Sequence, residues 1–136
     1  MREILFRGKR ADSGEWVEGD LIQVGLHDKP KYASIMPQTP VSCVYGVLAD
    51  TVGQFTGLTD KNGVNLIFEG DICRFKYLND VHVGEIVFYA ATASFVMKYQ
   101  SIVGVYGEKA THKMLLSACD NIEVIGNIHD NPELME

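Results

Sequence analysis

The stretch from Gln54 to Tyr77 does most to limit what this chain can fold into. It contains Asp60-Lys61-Asn62-Gly63, a turn signature, because Asn and Gly accept the positive φ that primed hairpin turns require. Five residues ending in Phe68 lead into Glu69-Gly70-Asp71. A glycine there can take a bend closed to other residues, and the aspartate after it can bond a nearby backbone N–H. Beyond it Ile72, Arg74 and Lys76 alternate with Cys73, Phe75 and Tyr77, the two-residue period of a strand. The stretch specifies sheet.

The rest of the chain reads the same way. Ile4 and Phe6, the turn Asp12-Ser13-Gly14 and the run from Trp16 predict a hairpin over residues 3–24, with a bulge at Gly19. Glu18-Gly19-Asp20-Leu21 repeats the device of Glu69-Gly70-Asp71-Ile72, although the spacing is too uneven for a strict repeat. Residues 26–40, with Pro30, Pro37 and Pro40, read as an irregular surface excursion, and residues 41–48 as a buried strand. Leu78-Asn79-Asp80 turns the chain into a strand from Val81 to Tyr89, interrupted at Gly84, where glycine permits the bending of small SH3-like barrels. Ser94 to Tyr99 is a further strand, which Ile102 to Tyr106 can extend. Residues 108–118 fit a short helix or a strand. Residues 121–128 form a last strand, before a helical turn opened by Pro132 and capped by Asp130 or Asn131. The expectation is one domain over residues 1–136, mostly β: a strongly bent antiparallel sheet, or small SH3-like barrel elements, with at most short helices.

Composition narrows the function classes. A chain of 136 residues can bury roughly two-thirds of its unfolded surface. No apolar run approaches the length of about 20 residues that spans a bilayer, and the charged N-terminus lacks a signal-peptide core. These features predict a cytoplasmic protein without a membrane partner. Cys43, Cys73 and Cys119 stand at wide spacings in apolar surroundings, which suits buried thiols better than a disulfide framework or zinc site. The net charge of −6 is concentrated late: residues 101–136 hold Lys109 and Lys113 against six acids. That balance disfavours nucleic acid as a partner. Arg7, Lys9 and Arg10 form the one tight basic cluster, flanked by Glu3, Asp12 and Glu15.

No catalytic constellation emerges. His27, His82, His112 and His129 are scattered without a second ligand at strand or helix spacing. Asp20 and Asp71 could form a carboxylate pair, but turn fixing explains both more economically. There is no Gly-x-Ser-x-Gly turn and no phosphate-binding glycine loop. No enzyme, cofactor or metal is expected. Phe75, Tyr77, Phe88 and Tyr89, with Phe95 and Tyr99 nearby, lie on neighbouring strands and offer a possible interaction surface. Val83 to Tyr89, with few charges to blunt an edge, predicts self-association by strand pairing or an aromatic patch.

Taken together, these pieces resemble the YopX family of small bacteriophage and prophage proteins. Four places carry the resemblance: Arg2-Glu3-Ile4-Leu5-Phe6-Arg7, the run Gln54 to Gly63, Glu69-Gly70-Asp71-Ile72, and Val124 to Leu134. His129 and Asp130 stand where the family usually has Tyr and Glu, and the hairpin between Gly63 and Glu69 is two residues longer. The resemblance implies a mostly β fold with a strongly bent sheet, a phage-derived context and no established activity. Gly57, Asp60, Gly63, Glu69, Gly70, Asp71, Gly126, Asn127, Asn131 and Pro132 are then structural motif residues. The function expected first is a non-enzymatic accessory protein that binds a protein partner or itself. The alternative is a nucleic-acid-binding small barrel using Arg7, Lys9, Arg10, Arg74 and Lys76; an unrecognised enzyme comes third.

Overall fold

The computed structural model describes residues 1–26, 29–38 and 43–136, with only the backbone of residues 26 and 29–31. His27, Pro40 and Val41 lie outside the described residues. The chain is mostly β and antiparallel, as its turn chemistry predicts. Its contacts gather into two compact units, Met1–Gly57 and Leu58–Glu136.

The first unit holds β1 (Phe6–Lys9), β2 (Trp16–Leu26), β3 (Lys29–Met36), β4 (Tyr45–Val47), a 3₁₀ turn at Ala49–Thr51 and the start of β5 (Gly53–Thr59). Their order is β4-β3-β2-β1-β5. β2 changes partner along its length: Trp16 to Gly19 pair with β1, and Asp20 to Leu26 with β3. The change falls at Gly19, where a Cβ would stand 2.1 Å from the Met36 carbonyl oxygen. The expected bulge is therefore absent, since pairing with β1 runs unbroken from Lys9↔Trp16 to Phe6↔Gly19. Gly19 is needed for close backbone approach instead.

The excursion expected over residues 26–40 is largely the strand β3, with Pro30 near its start, where proline is tolerated. Alternation buries Ala33 and Ile35, which form a core with Val47, backed by Phe6, Val17, Leu21 and Val52. The end of β1 curls to meet β4 through an isolated bridge, Arg10↔Val47. The described residues close no barrel.

The second unit holds β6 (Leu66–Phe68), β7 (Asp71–Tyr77), β8 (Asp80–Tyr89), β9 (Ser94–Val103), β10 (Glu108–Leu115) and β11 (Asp120–Asn127). Two 3₁₀ turns, Leu116–Ala118 and Pro132–Met135, complete it. The sheet order β10-β9-β8-β7-β11 places β8 at the centre, so Val83 to Tyr89 is not an edge. Gly84 does not interrupt β8 either; it pairs with Tyr99, and a Cβ there would come within 2.9 Å of the Lys98 carbonyl oxygen and Met97 Sδ. Ile67, Cys73, Phe75, Ile86, Met97, Tyr99 and Cys119 form the core. Each fully buried large apolar side chain among them contributes roughly 1.5–3 kcal/mol.

Two local expectations change, and one open choice is settled. The primed turn lies at Leu78-Asn79, both at positive φ (49° and 71°), between the paired residues Tyr77 and Asp80. At Asn62-Gly63 only the glycine is at positive φ (68°), because a longer loop leaves Asn62 in ordinary space. Val105 and Tyr106 do not extend the sheet; Gly104 and Gly107, both at positive φ, make them the exposed tip of the β9–β10 turn. Residues 108–115 are strand, with Lys109, Thr111, Lys113 and Leu115 exposed and Ala110, His112 and Met114 half-buried. Two-residue alternation suits a sheet margin and not a helix.

Candidate functional site

The sequence motifs converge on one end of the second sheet. Gly70 adopts φ 92°, which lets the chain turn sharply between β6 and β7. Its N–H donates to the Ile86 carbonyl (2.8 Å), and its own carbonyl accepts the Ile128 N–H (3.0 Å). Asp71 is 1% exposed, and its Oδ2 accepts the Phe68 N–H at 2.8 Å. Asn127 pairs with Asp71 across β11 and β7. The Asn127 Oδ1 accepts the N–H groups of His129 (3.0 Å) and Asp130 (2.9 Å), and Asn131 Oδ1 accepts the Asn127 N–H (3.3 Å). Asn131 precedes Pro132 at the 3₁₀ turn but makes no side-chain capping bond to it; it reaches back to Asn127 instead. A Cβ on Gly126 would lie 2.6 Å from Asn131 Oδ1.

Asp60 closes a second knot. Its Oδ1 accepts the N–H groups of Asn62 (3.2 Å), Val64 (3.3 Å) and Asn65 (3.3 Å), and its Oδ2 accepts Asn65 Nδ2 at 2.8 Å. The Asn65 side-chain bond, with help from the backbone donors, holds the carboxyl below the usual carboxylate range. The residue is 4% exposed, and these hydrogen bonds to the charged form outweigh the opposing desolvation. Gly57 sits at φ 92° in β5, and Glu69 immediately precedes the Gly70 bend. Apart from the Asn65–Asp60 side-chain bond, these hydrogen bonds all engage backbone groups and hold turns and strand ends in place.

The aromatics divide. Phe75 is fully buried and Tyr77 packs against the same core. Phe88 is 51% exposed and meets Phe95 edge-on at 5.5 Å. Tyr89 lies under the Lys113 ammonium, 4.8 Å from its ring centroid.

The chemistry-bearing groups gather elsewhere, where the core runs out beside β10. Strand pairing brings His82 of β8, Tyr99 and Ser101 of β9 and His112 of β10 to one face. Tyr99 lies between the histidines, with ring centroids 4.9 Å from His82 and 5.0 Å from His112. Phe75 backs the ladder, 5.2 Å from Tyr99. Burial pushes the Tyr99 phenol up, and Tyr77 and Cys119 add to the rise. Ser101 Oγ and His112 Nε2 share a hydrogen bond of 2.7 Å. Among the described residues no carboxylate is hydrogen-bonded to His112, so the pair lacks the third member of a hydrolytic triad. Together with Tyr77, Asp80, Thr111, Lys113 and Met114 these groups line an open groove of about 930 Å³.

A family model, YopX protein, matches residues 5–136. The chain belongs to the YopX family. No curated protein shows significant similarity to it. The match spans both units, including the YopX-like segments Gln54 to Gly63, Glu69 to Ile72 and Val124 to Leu134. Within the second unit of this YopX chain, the residues that carry the resemblance are those that tie loops to strands. The groove residues His82, Tyr99, Ser101 and His112 stood out in no motif, because register, not spacing along the chain, brings them together. The one available signal was polar and aromatic residues recurring at alternate positions on three successive strands.

Proposed function

We propose that this chain is a non-enzymatic, phage-type accessory protein that works in the bacterial cytoplasm by binding protein along the β10 edge. The observation that carries this reading is the position of β10: it ends its sheet, with β9 as its one strand neighbour among the described residues, and it borders the groove. An end strand of eight residues offers backbone donors and acceptors to an added strand, and the groove accepts alternate side chains.

The positive charges support a protein partner over nucleic acid because acids and rings break them up. Glu123 lies 3.1 Å from Lys61 and 3.7 Å from Arg74, while Glu85 stands opposite Lys98 and Asp120 opposite Lys76 on neighbouring strands. In the first unit Arg7 and Lys9 cover Trp16 at 4.7 and 5.6 Å, while Arg10 meets Asp12 at 2.8 Å. A phosphate backbone is held by an uninterrupted basic strip. No helix of the described residues is long and apolar enough to cross a membrane.

Photo-crosslinking from position 111 tests the reading. A photoreactive residue replacing Thr111 should yield one dominant protein adduct, either a second copy or a partner. The same residue at exposed Ala91 should not. Equal adducts at both positions, or none at 111, would remove the β10 edge as the working surface.

A further inference from the structure

We propose that β10 takes up, as a sixth strand of its sheet, an extended segment of a partner protein that is acidic on one face and apolar on the other. This rests on the protein-binding reading of the β10 edge and adds the chemistry of the partner.

Strand register separates the two faces of the edge. Lys109 stands opposite Ile102 and Lys113 opposite Lys98, so these lysines share the face away from the histidine ladder, Lys98 with Glu85 beside it and Lys109 and Lys113 on the edge strand itself. Neither Lys109 nor Lys113 forms an ion pair among the described residues, and Lys113 is steadied over Tyr89. On the other face His112 and Met114 stand with Tyr99 and Ser101 in the groove, whose lining also takes in Thr111, Lys113 and Asp80.

An antiparallel strand laid along β10 meets Lys113, His112, Thr111, Ala110 and Lys109 with five successive residues. The first and fifth fall beside ammonium groups, where carboxylates are favoured. The second falls over the groove, where an apolar or aromatic side chain can pack on His112 and Tyr99, and the fourth falls beside half-buried Ala110 on the same face. A second copy of β10 fits less well, since pairing centred on Thr111 would set Lys109 against Lys113, and like charges directly opposite repel.

Two labelled peptides test this on the full-length chain. One has the core Glu-Phe-Thr-Val-Glu, the other Lys-Phe-Thr-Val-Lys. Fluorescence anisotropy at low salt should show the acidic peptide binding roughly tenfold more tightly, with the gap narrowing as salt is added. It should slow hydrogen exchange at β10 amides. Lys109→Glu with Lys113→Glu, both exposed positions, should reverse the preference. If both peptides protect β10 equally, the charge selection is wrong and the edge reading survives. If neither protects β10 while position 111 still crosslinks, this proposal falls and that reading again stands. If position 111 gives no crosslink, both fall. Tighter binding of a single-stranded oligothymidine than of the acidic peptide would likewise overturn the proposal.

Discussion

The carbonyl of Gly70 accepts the N–H of Ile128 at 3.0 Å, joining the bend before β7 to the residue after β11. The Gly70 N–H donates at the same time to Ile86 of β8, so one residue at φ 92° ties three segments together. Any other L-residue at that φ costs about 1–2 kcal/mol in backbone strain alone. Gly70→Ala should lower stability by that amount in urea denaturation, and Gly70→Val by more. An unchanged midpoint for Gly70→Val would refute the role given to the bend.

Steric crowding separates the strand glycines. Gly84→Ala forces a methyl group within 2.9 Å of the Lys98 carbonyl oxygen and of Met97, and should cost about 1–3 kcal/mol. Gly46→Ala in β4 meets nothing within 4 Å and has no positive φ, so it should leave stability unchanged within about 0.5 kcal/mol. Thermal melts of the two variants provide the comparison.

Asp60 makes part of the stability of its loop depend on pH. Its folded pKa is depressed, chiefly by the Asn65 side-chain bond. The contribution is therefore complete above the unfolded value of about 4 and is lost as pH falls through the folded value. Asp60→Asn should destabilise the protein at neutral pH and flatten the fall in stability below about pH 4. Denaturation midpoints measured between neutral and acid pH would show it; parallel curves for the two proteins would contradict it.

The three cysteines should react in two classes. Burial pushes the Cys119 thiol up to about 11, and the nearby Asp120 adds to the rise. Cys73 is fully buried, whereas Cys43 is exposed. A thiol-specific disulfide reagent at pH 8 should modify Cys43 quickly, leaving Cys73 and Cys119 until denaturant is added. Rapid labelling of Cys119 in the native protein would show that its surroundings open more readily than the structure implies.

What the chain alone determined is local: where it turns, which stretches alternate, and that an aspartate after Gly70 fastens the backbone three residues back. Such features depend on φ preferences and on side chains within a few residues of their partners, and these are written in order along the sequence. The limit of that information shows in one repeated tripeptide. Glu69-Gly70-Asp71 makes a tight bend with glycine at positive φ, whereas Glu18-Gly19-Asp20 runs straight through β2, its glycine there to admit the Met36 carbonyl. The difference lies in the strand that passes alongside, which no window of neighbouring residues contains. The histidine ladder is decided in the same way. His82, Tyr99 and His112 come from three strands, and a shift of one residue in either pairing would turn a ring to the other face. Period and turns were local; the partners across each strand were set only when the whole sheet closed around its core.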